Sequence, residues 1–378
     1  MLNEIYFKPA LQIENTGDLL INKAIVDLLD DYGNVILDDS HTPSWFIKEI
    51  SPSGTHQYLS SVSSDSLLKT IFKRLRKKDK NDKHEIFLVI QPGHTSRKGL
   101  KPALWSIKTL VELFILKSFG CKIVRTGFSI GPFDTLNGWL ESLTSRTFYH
   151  YSVRDKSSLN LAQRYKFHNP KYSPDLAWAY LPNNIENKEM RVYYVLSFRS
   201  NSYGDLHDQN YLSPIIESLI EMLKGGMPLT TKIVISYQVK YDRDACLSLH
   251  AALSEIFPNV EFLDKKLLLD EAVSLYSGAK CVISNRLHVL LLAMQCNSLA
   301  LPFVSEVDNR KITSIYKDNG LDSVIIYNSD TLEINRDKFS FAINNTNVIM
   351  NKFSTLVAKN TAMIKENLNN VFSAESSL

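Results

Sequence analysis

An arginine and a histidine two residues apart, in Ser284-Asn285-Arg286-Leu287-His288, are the residues best placed to do chemistry in this chain. They stand between an apolar run that reads as a strand, Lys280-Cys281-Val282-Ile283, and a run from Val289 to Gln295 that reads as a helix. A helix opening at the end of a strand brings unpaired backbone N–H groups and the positive end of a dipole to one point. A guanidinium and an imidazole at that point suit a phosphate or a carboxylate. An ordinary strand-to-helix turn, with a solvated Arg and a packed His, accounts for the same five residues, so this pattern alone does not assign the site.

Other segments carry weaker signals. Asn15-Thr16-Gly17-Asp18 precedes the first helical pattern, where Asp18 is expected to cap the helix; the functional alternative aims Asn15 and Asp18 at a substrate. Gly127-Phe128-Ser129-Ile130-Gly131 matches G-x-S-x-G, but a nucleophile elbow needs a helix directly after the Ser, and Gly131-Pro132-Phe133-Asp134 reads as a turn. Asp242-Arg243-Asp244 has the form of a metal-binding D-x-D, yet it sits where a helix start favours Asp in any case. Arg154, in Ser152-Val153-Arg154-Asp155, is a second cation at a strand end; it either pairs with Asp155 or faces a ligand. Lys73, Arg74, Arg76, Lys77, Lys78, Lys80 and Lys83 follow Leu67, Leu68, Ile71 and Phe72, giving a solvated basic helix or one that touches anionic lipid. There is no Gly-rich phosphate loop, no aromatic-basic interleaving for nucleic acid and no metal-ligand cluster.

Short apolar runs alternate with helical periods around all of these segments. Ile86–Ile90, Cys121–Val124, Phe148–Val153, Arg191–Phe198, Lys232–Tyr237, Val260–Leu263 and Leu299–Val304 read as strands with helices between them. Such alternation gives parallel sheets covered by helices. Periodicity lapses from Leu181 to Lys188, as in a linker. The chain therefore divides into an α/β domain over 1–184, a second over 185–344 and a terminal helix within 345–378 that packs back. A length of 378 residues suits two domains of roughly 150–200 residues each. The apolar fraction of 44% and charged fraction of 22% are those of a soluble globular protein, and a net charge of +3 does not select nucleic acid. Four scattered cysteines read as buried free thiols, and no run nears the ~18 apolar residues of a spanning helix. The expected location is the cytoplasm.

Taken together, the segments Gly127 to Phe133, Ser152 to Ser158 and Ser284 to His288 resemble the polysaccharide pyruvyl transferases. Asn15-Thr16-Gly17-Asp18 matches that family's opening motif, Pro174-Asp175-Leu176-Ala177 a short segment before the linker, and Asp308-Asn309-Arg310-Lys311 one after the anion site. The resemblance runs from about residue 12 to residue 321, in order. It implies two Rossmann-like α/β domains facing a cleft, as in GT-B glycosyltransferases, with a long C-terminal helix. It also implies transfer of pyruvyl from phosphoenolpyruvate to two hydroxyls of a sugar, with phosphoenolpyruvate as co-substrate and no cofactor or metal. The site it implies has His288, Arg286 and Asp18 as catalytic residues. The donor would be held by Arg286, Leu287, His288, Arg154 and Lys311, and the acceptor by Asn15, Asp18, His94 and Ser129. The implied acceptor is a glycan, free or lipid-linked, at the inner face of a membrane. Two departures stand out: Gln91-Pro92-Gly93-His94 replaces the family's Gly-rich turn, and Cys296-Asn297-Ser298 replaces Gly-Thr-Pro or Gly-Val-Pro, with Asn297 as the expected left-handed helix cap. The rival reading is a GT-B glycosyltransferase using a nucleotide sugar; the helix from Val289 carries none of the carboxylates that would hold its ribose or sugar. A non-catalytic carbohydrate-binding descendant is a third class, disfavoured by the joint presence of Arg286, His288 and Arg154.

Overall fold

The computed structural model describes residues 3–9, 13–52, 54–79, 84–182, 185, 191–199, 209–306 and 308–373. Most of the expected linker, together with Lys80 and Lys83, lies outside them. The chain forms two compact units. The first holds Met1–Ile13, Asp18–Ala179 and Asn360–Leu378; the second holds Glu14–Gly17 and Tyr180–Lys359. The long final helix, Thr346–Phe372, contributes its first part to the second unit and its last part to the first.

The first unit is built on one parallel sheet. Its strands are β1 (Asn3–Lys8), β2 (Gly33–Leu37), β3 (Gln57–Tyr58), β4 (Ile86–Ile90), β5 (Gly93–Arg97), β6 (Lys122–Phe133), β7 (His150–Val153) and β8 (Lys171–Tyr172). They run in the order β3-β2-β1-β4-β6-β7-β8, with β5 pairing the second half of β6. Strands such as Ile86-Phe87-Leu88-Val89 are apolar on both faces because helices cover both faces. Here the structure corrects two sequence expectations. The strand after Cys121 does not stop at Val124; it continues to Phe133, and Asp134 then caps the helix Thr135–Ser145 by accepting from the Asn137 N–H at 2.8 Å. What reads as a turn is strand, because Gly127 and Gly131 take positive φ (70° and 86°) and let β6 bulge under Leu176 and Leu161 without a side chain in the way. The second correction concerns the basic helix Leu67–Lys77. Leu67 and Ile71 are buried and Leu68 and Phe72 pack on the same core, so its apolar side faces the protein and is not available to lipid.

The second unit is a six-stranded parallel sheet of β9 (Tyr193–Ser197), β10 (Lys232–Tyr237), β11 (Val260–Lys266), β12 (Ala279–Ser284), β13 (Leu299–Val304) and β14 (Ile326–Tyr327). Its order is β11-β10-β9-β12-β13-β14, the doubly wound order that reverses between the first and fourth strands. The helix Leu287–Gln295 follows β12; Val289 to Ala293 have no exposed surface, which is why this run is apolar all round. Asn297 takes φ 56°, and the N–H groups of Asn297 and Ser298 return to the carbonyls of Met294 and Ala293 (3.0 and 2.8 Å), the double cap that Asn tolerates best after Gly. All four cysteines are buried free thiols.

Candidate functional site

In open parallel sheets, ligands bind beyond the carboxyl ends of the strands where the strand order reverses. In the second unit that point lies between β9 and β12, and the two chain exits carry Arg199 and Arg286. Polar side chains fix both exits. The Ser284 hydroxyl donates to the Ser197 carbonyl at 2.5 Å and accepts the Arg286 N–H at 2.9 Å. The Asn285 side chain clasps the backbone of Arg199 twice, accepting its N–H at 2.8 Å and donating to its carbonyl at 3.2 Å. Asn309 donates to the Asn285 carbonyl (3.4 Å) and accepts the Ser305 N–H (2.9 Å), which draws in the segment after β13. That segment carries Lys311, exposed near the start of the helix Arg310–Asp318. One end of the sheet thus presents Arg199, Arg286, His288 and Lys311, at the opening of a helix.

Arg286 is only half engaged. One terminal nitrogen donates to Asp242 Oδ1 at 2.5 Å, and the guanidinium lies 5.5 Å from the centre of the Tyr241 ring. Arg286 Nε and Asp242 Oδ2 are buried and have no hydrogen-bond partner among the described residues. Burial works against the charge on Arg286, but Asp242 outweighs it, so the guanidinium pKa is raised. Burial raises the Asp242 pKa, and Arg286 and Arg199 pull it back. A guanidinium held in place on one edge with a donor left over can receive a second anion. Arg199, Tyr241 and Asp242 were not legible as site residues. Asp242 showed only as a helix-start acid, and the signal that would have found it is the pairing of strand exits, which needs the strand order.

His288 is positioned from an unexpected direction. The Thr16 hydroxyl donates to the carbonyls of Leu267 (2.7 Å) and Gln238 (3.3 Å), docking Asn15-Thr16-Gly17 on the second unit's loops. Gly17 then passes so close to His288 that an added Cβ would fall within 2.9 Å of its Cβ and Cγ. Glycine is required there by close approach. Asn15 is the helix cap: its Oδ1 accepts the Gly17 N–H at 2.9 Å, and the helix runs Thr16–Leu29. Asp18, expected as the cap, instead sits buried in the first turn.

The remaining candidates belong to the first unit. Arg154 is 5% exposed; its Nε donates to Ser129 Oγ (2.9 Å) and one terminal nitrogen to Asp175 (2.8 Å). The Arg154–Asp155 pair, one of the two alternatives for this arginine, does not form; Arg154 pairs with Asp175. Asp155 caps the helix Lys156–Arg164, accepting from the Ser158 N–H (2.6 Å), the Ser158 hydroxyl (2.9 Å) and the Ser129 hydroxyl (2.6 Å). Ser129 therefore lies inside a buried network in mid-strand, not on a nucleophile elbow, and the carboxylate it donates to is the one that caps a helix. His94 is exposed on β5 and pairs in register with Ser129. Among the described residues no three His, Cys, Asp or Glu side chains gather as metal ligands, and no helix is long and apolar enough to cross a membrane.

A family model described as polysaccharide pyruvyl transferase matches residues 15–297. No curated protein sequence matches the chain. Among solved structures, HepE of Anabaena in complex with UDP and glucose is 10% identical with a TM-score of 0.60, covering 99% of this chain and 100% of that one. The UDP-GlcNAc 2-epimerase of Neisseria meningitidis bound to UDP-GlcNAc is also 10% identical, with a TM-score of 0.59 over 99% and 100% of the two chains. That of Methanocaldococcus jannaschii is 13% identical with a TM-score of 0.56 over 91% and 93%. At such identities the likeness establishes the architecture alone, an α/β fold of GT-B type with a long C-terminal helix.

Proposed function

The chain belongs to the polysaccharide pyruvyl transferase family, and from that premise we propose that it transfers the pyruvyl group of phosphoenolpyruvate to two hydroxyls of one sugar. Phosphoenolpyruvate carries up to three negative charges on a carboxylate and a phosphate. The reading rests on one observation: the basic residues Arg199, Arg286, His288 and Lys311 follow β9, β12 and β13 at one end of the second unit's sheet, beside the point where its strand order reverses. Arg286, held by Asp242, is the residue assigned to carboxylate or phosphate. The helix that opens at Leu287 adds backbone donors and a favourable dipole. His288, in close approach to Gly17, is the group assigned to deliver the proton.

The chemistry needs one proton delivered and one anion released. Protonation of the methylene carbon makes a methyl group and leaves positive character on the carbon bearing phosphate. The first sugar hydroxyl adds there and loses its proton. Phosphate leaves with its C–O bonding electrons, and the second hydroxyl closes the ring, losing its proton in turn. The products are a pyruvate ketal and inorganic phosphate. No metal enters this scheme, because Arg and Lys offset the donor charge; loss of turnover on chelation, restored by one divalent ion, would overturn that part. Asn15, Asp18 and His94 are proposed on the acceptor side, and Arg154 and Ser129 only as scaffold. Thermal melting with phosphoenolpyruvate and, separately, with nucleotide sugars tests the donor: a rise with phosphoenolpyruvate alone is expected. A rise with a nucleotide sugar alone would favour glycosyl transfer on the same architecture.

A further inference from the structure

The helix Leu100–Ser118 in the first unit is apolar on two sides. Ala103, Ser106, Leu113 and Leu116 turn inward and are buried. Leu100, Leu104, Ile107, Val111, Phe114 and Ile115 recur at helical spacing on the outer side and are between 43% and 74% exposed. At 100° per residue these six fall within an arc of about 100°, over about four turns. Single exposed hydrophobic residues need no account, but a continuous stripe marks an interaction surface. Trp105 flanks it, and Trp139 is exposed on the helix Thr135–Ser145, which packs alongside.

Charge selects what covers the stripe. Lys101 and Lys108 edge it, and the helix's single acid, Glu112, lies 3.8 Å from Lys108. The neighbouring helix Leu67–Lys77 packs beside it, with the Phe72 ring 4.8 Å from that of Phe119. That helix contains no acid and exposes Lys69, Lys73, Arg76 and Lys77. A second copy seated by a two-fold axis running across the helix would set these like-charged edges against each other. A surface apolar below and negative above satisfies both features, with Trp at the boundary. We propose that this three-helix face docks on an anionic lipid bilayer, the helix Leu100–Ser118 lying in the headgroup region.

Vesicle binding is measured without phosphoenolpyruvate, so its outcome is independent of the donor-site test. The full chain is co-sedimented with vesicles of phosphatidylglycerol and phosphatidylcholine, and with phosphatidylcholine alone. Binding to the anionic vesicles is expected, weakening as salt shortens the Debye length below about 8 Å. Leu104→Glu and Phe114→Glu should each reduce partitioning by about tenfold, since each removes one buried apolar side chain. Both positions are exposed, so melting should stay near wild type; Val348→Glu, at an exposed position of the second unit, should leave partitioning unchanged. Lys101→Glu with Lys108→Glu should reduce the preference for anionic vesicles. Equal sedimentation with both vesicle types, or no loss in the Glu variants, overturns the proposal. So does a dimer in sedimentation velocity that Phe114→Glu dissociates, which would assign the stripe to a second copy.

Discussion

Arg154 and Arg286 occupy similar sequence settings: each follows a strand, and each precedes a helix by one or two residues. Their surroundings differ. Arg154 follows β7, away from the place where the first unit's strand order reverses, and its guanidinium is engaged with Ser129 and Asp175 inside a closed network. Arg286 follows β12, at the reversal itself; it is held by Asp242 and lies beside the Tyr241 ring, with its Nε unpaired. Strand order, which a linear motif does not contain, separates an arginine that holds the fold from one that can hold a ligand.

The largest effect should come from exchanging the two. Arg286→Ala is expected to lower kcat/KM for phosphoenolpyruvate by about 1000-fold, the scale of a lost charged donor at a reacting group. Arg154→Ala should instead destabilise the protein by about 3–5 kcal/mol, because Asp175 is left as an uncompensated buried charge. Melting and kinetics on the same two variants check this; a melting loss confined to Arg286→Ala would invert the contrast.

The strand that delivers Arg154 gives a pH test of the scaffold. Burial, aided by Lys171, lowers the pKa of His150 from 6.5 to about 4. Between those values the unfolded chain binds the proton and the folded chain does not. Stability should therefore fall as pH drops from about 6.5 to about 4, by roughly 3 kcal/mol in all. Urea unfolding against pH should show this slope, and His150→Phe should flatten it.

Smaller effects should sharpen the account of the proposed donor site. Gly17→Ala inserts a methyl group against His288, and kcat should fall about tenfold through misplacement of the ring. His288→Ala should lower turnover more than donor binding. Asp242→Asn keeps the shape but weakens the grip on Arg286, so KM for phosphoenolpyruvate should rise by about tenfold with kcat less affected. An unchanged KM would mean that Arg286 is aimed without Asp242.

Local signals carried far in this chain. The βαβ alternation, the turn at Arg286 and His288, and the left-handed cap at Asn297 follow from periodicity and residue type, which act within a few residues. What the sequence concealed depends on distant partners. Gly127 and Gly131 resemble turn residues until β5 and β7 pair around them. Asp18 resembles a cap until Thr16 is anchored by Leu267 and the helix starts earlier. Asp242 has no visible role until β12 brings Arg286 to it. The outer stripe of Leu100–Ser118 was hidden because a helix apolar on two sides looks like an ordinary core helix.

The central claim is that the reversal between β9 and β12 binds phosphoenolpyruvate through Arg286. Calorimetric titration of phosphoenolpyruvate into the wild type, Arg286→Gln and Asp175→Asn tests it most directly. The account predicts one site per chain in the wild type, affinity reduced by about a hundredfold or more in Arg286→Gln, as for a lost charge-assisted pair, and little change in folded Asp175→Asn. Equal affinity in the wild type and Arg286→Gln, or binding lost only in Asp175→Asn, would contradict it.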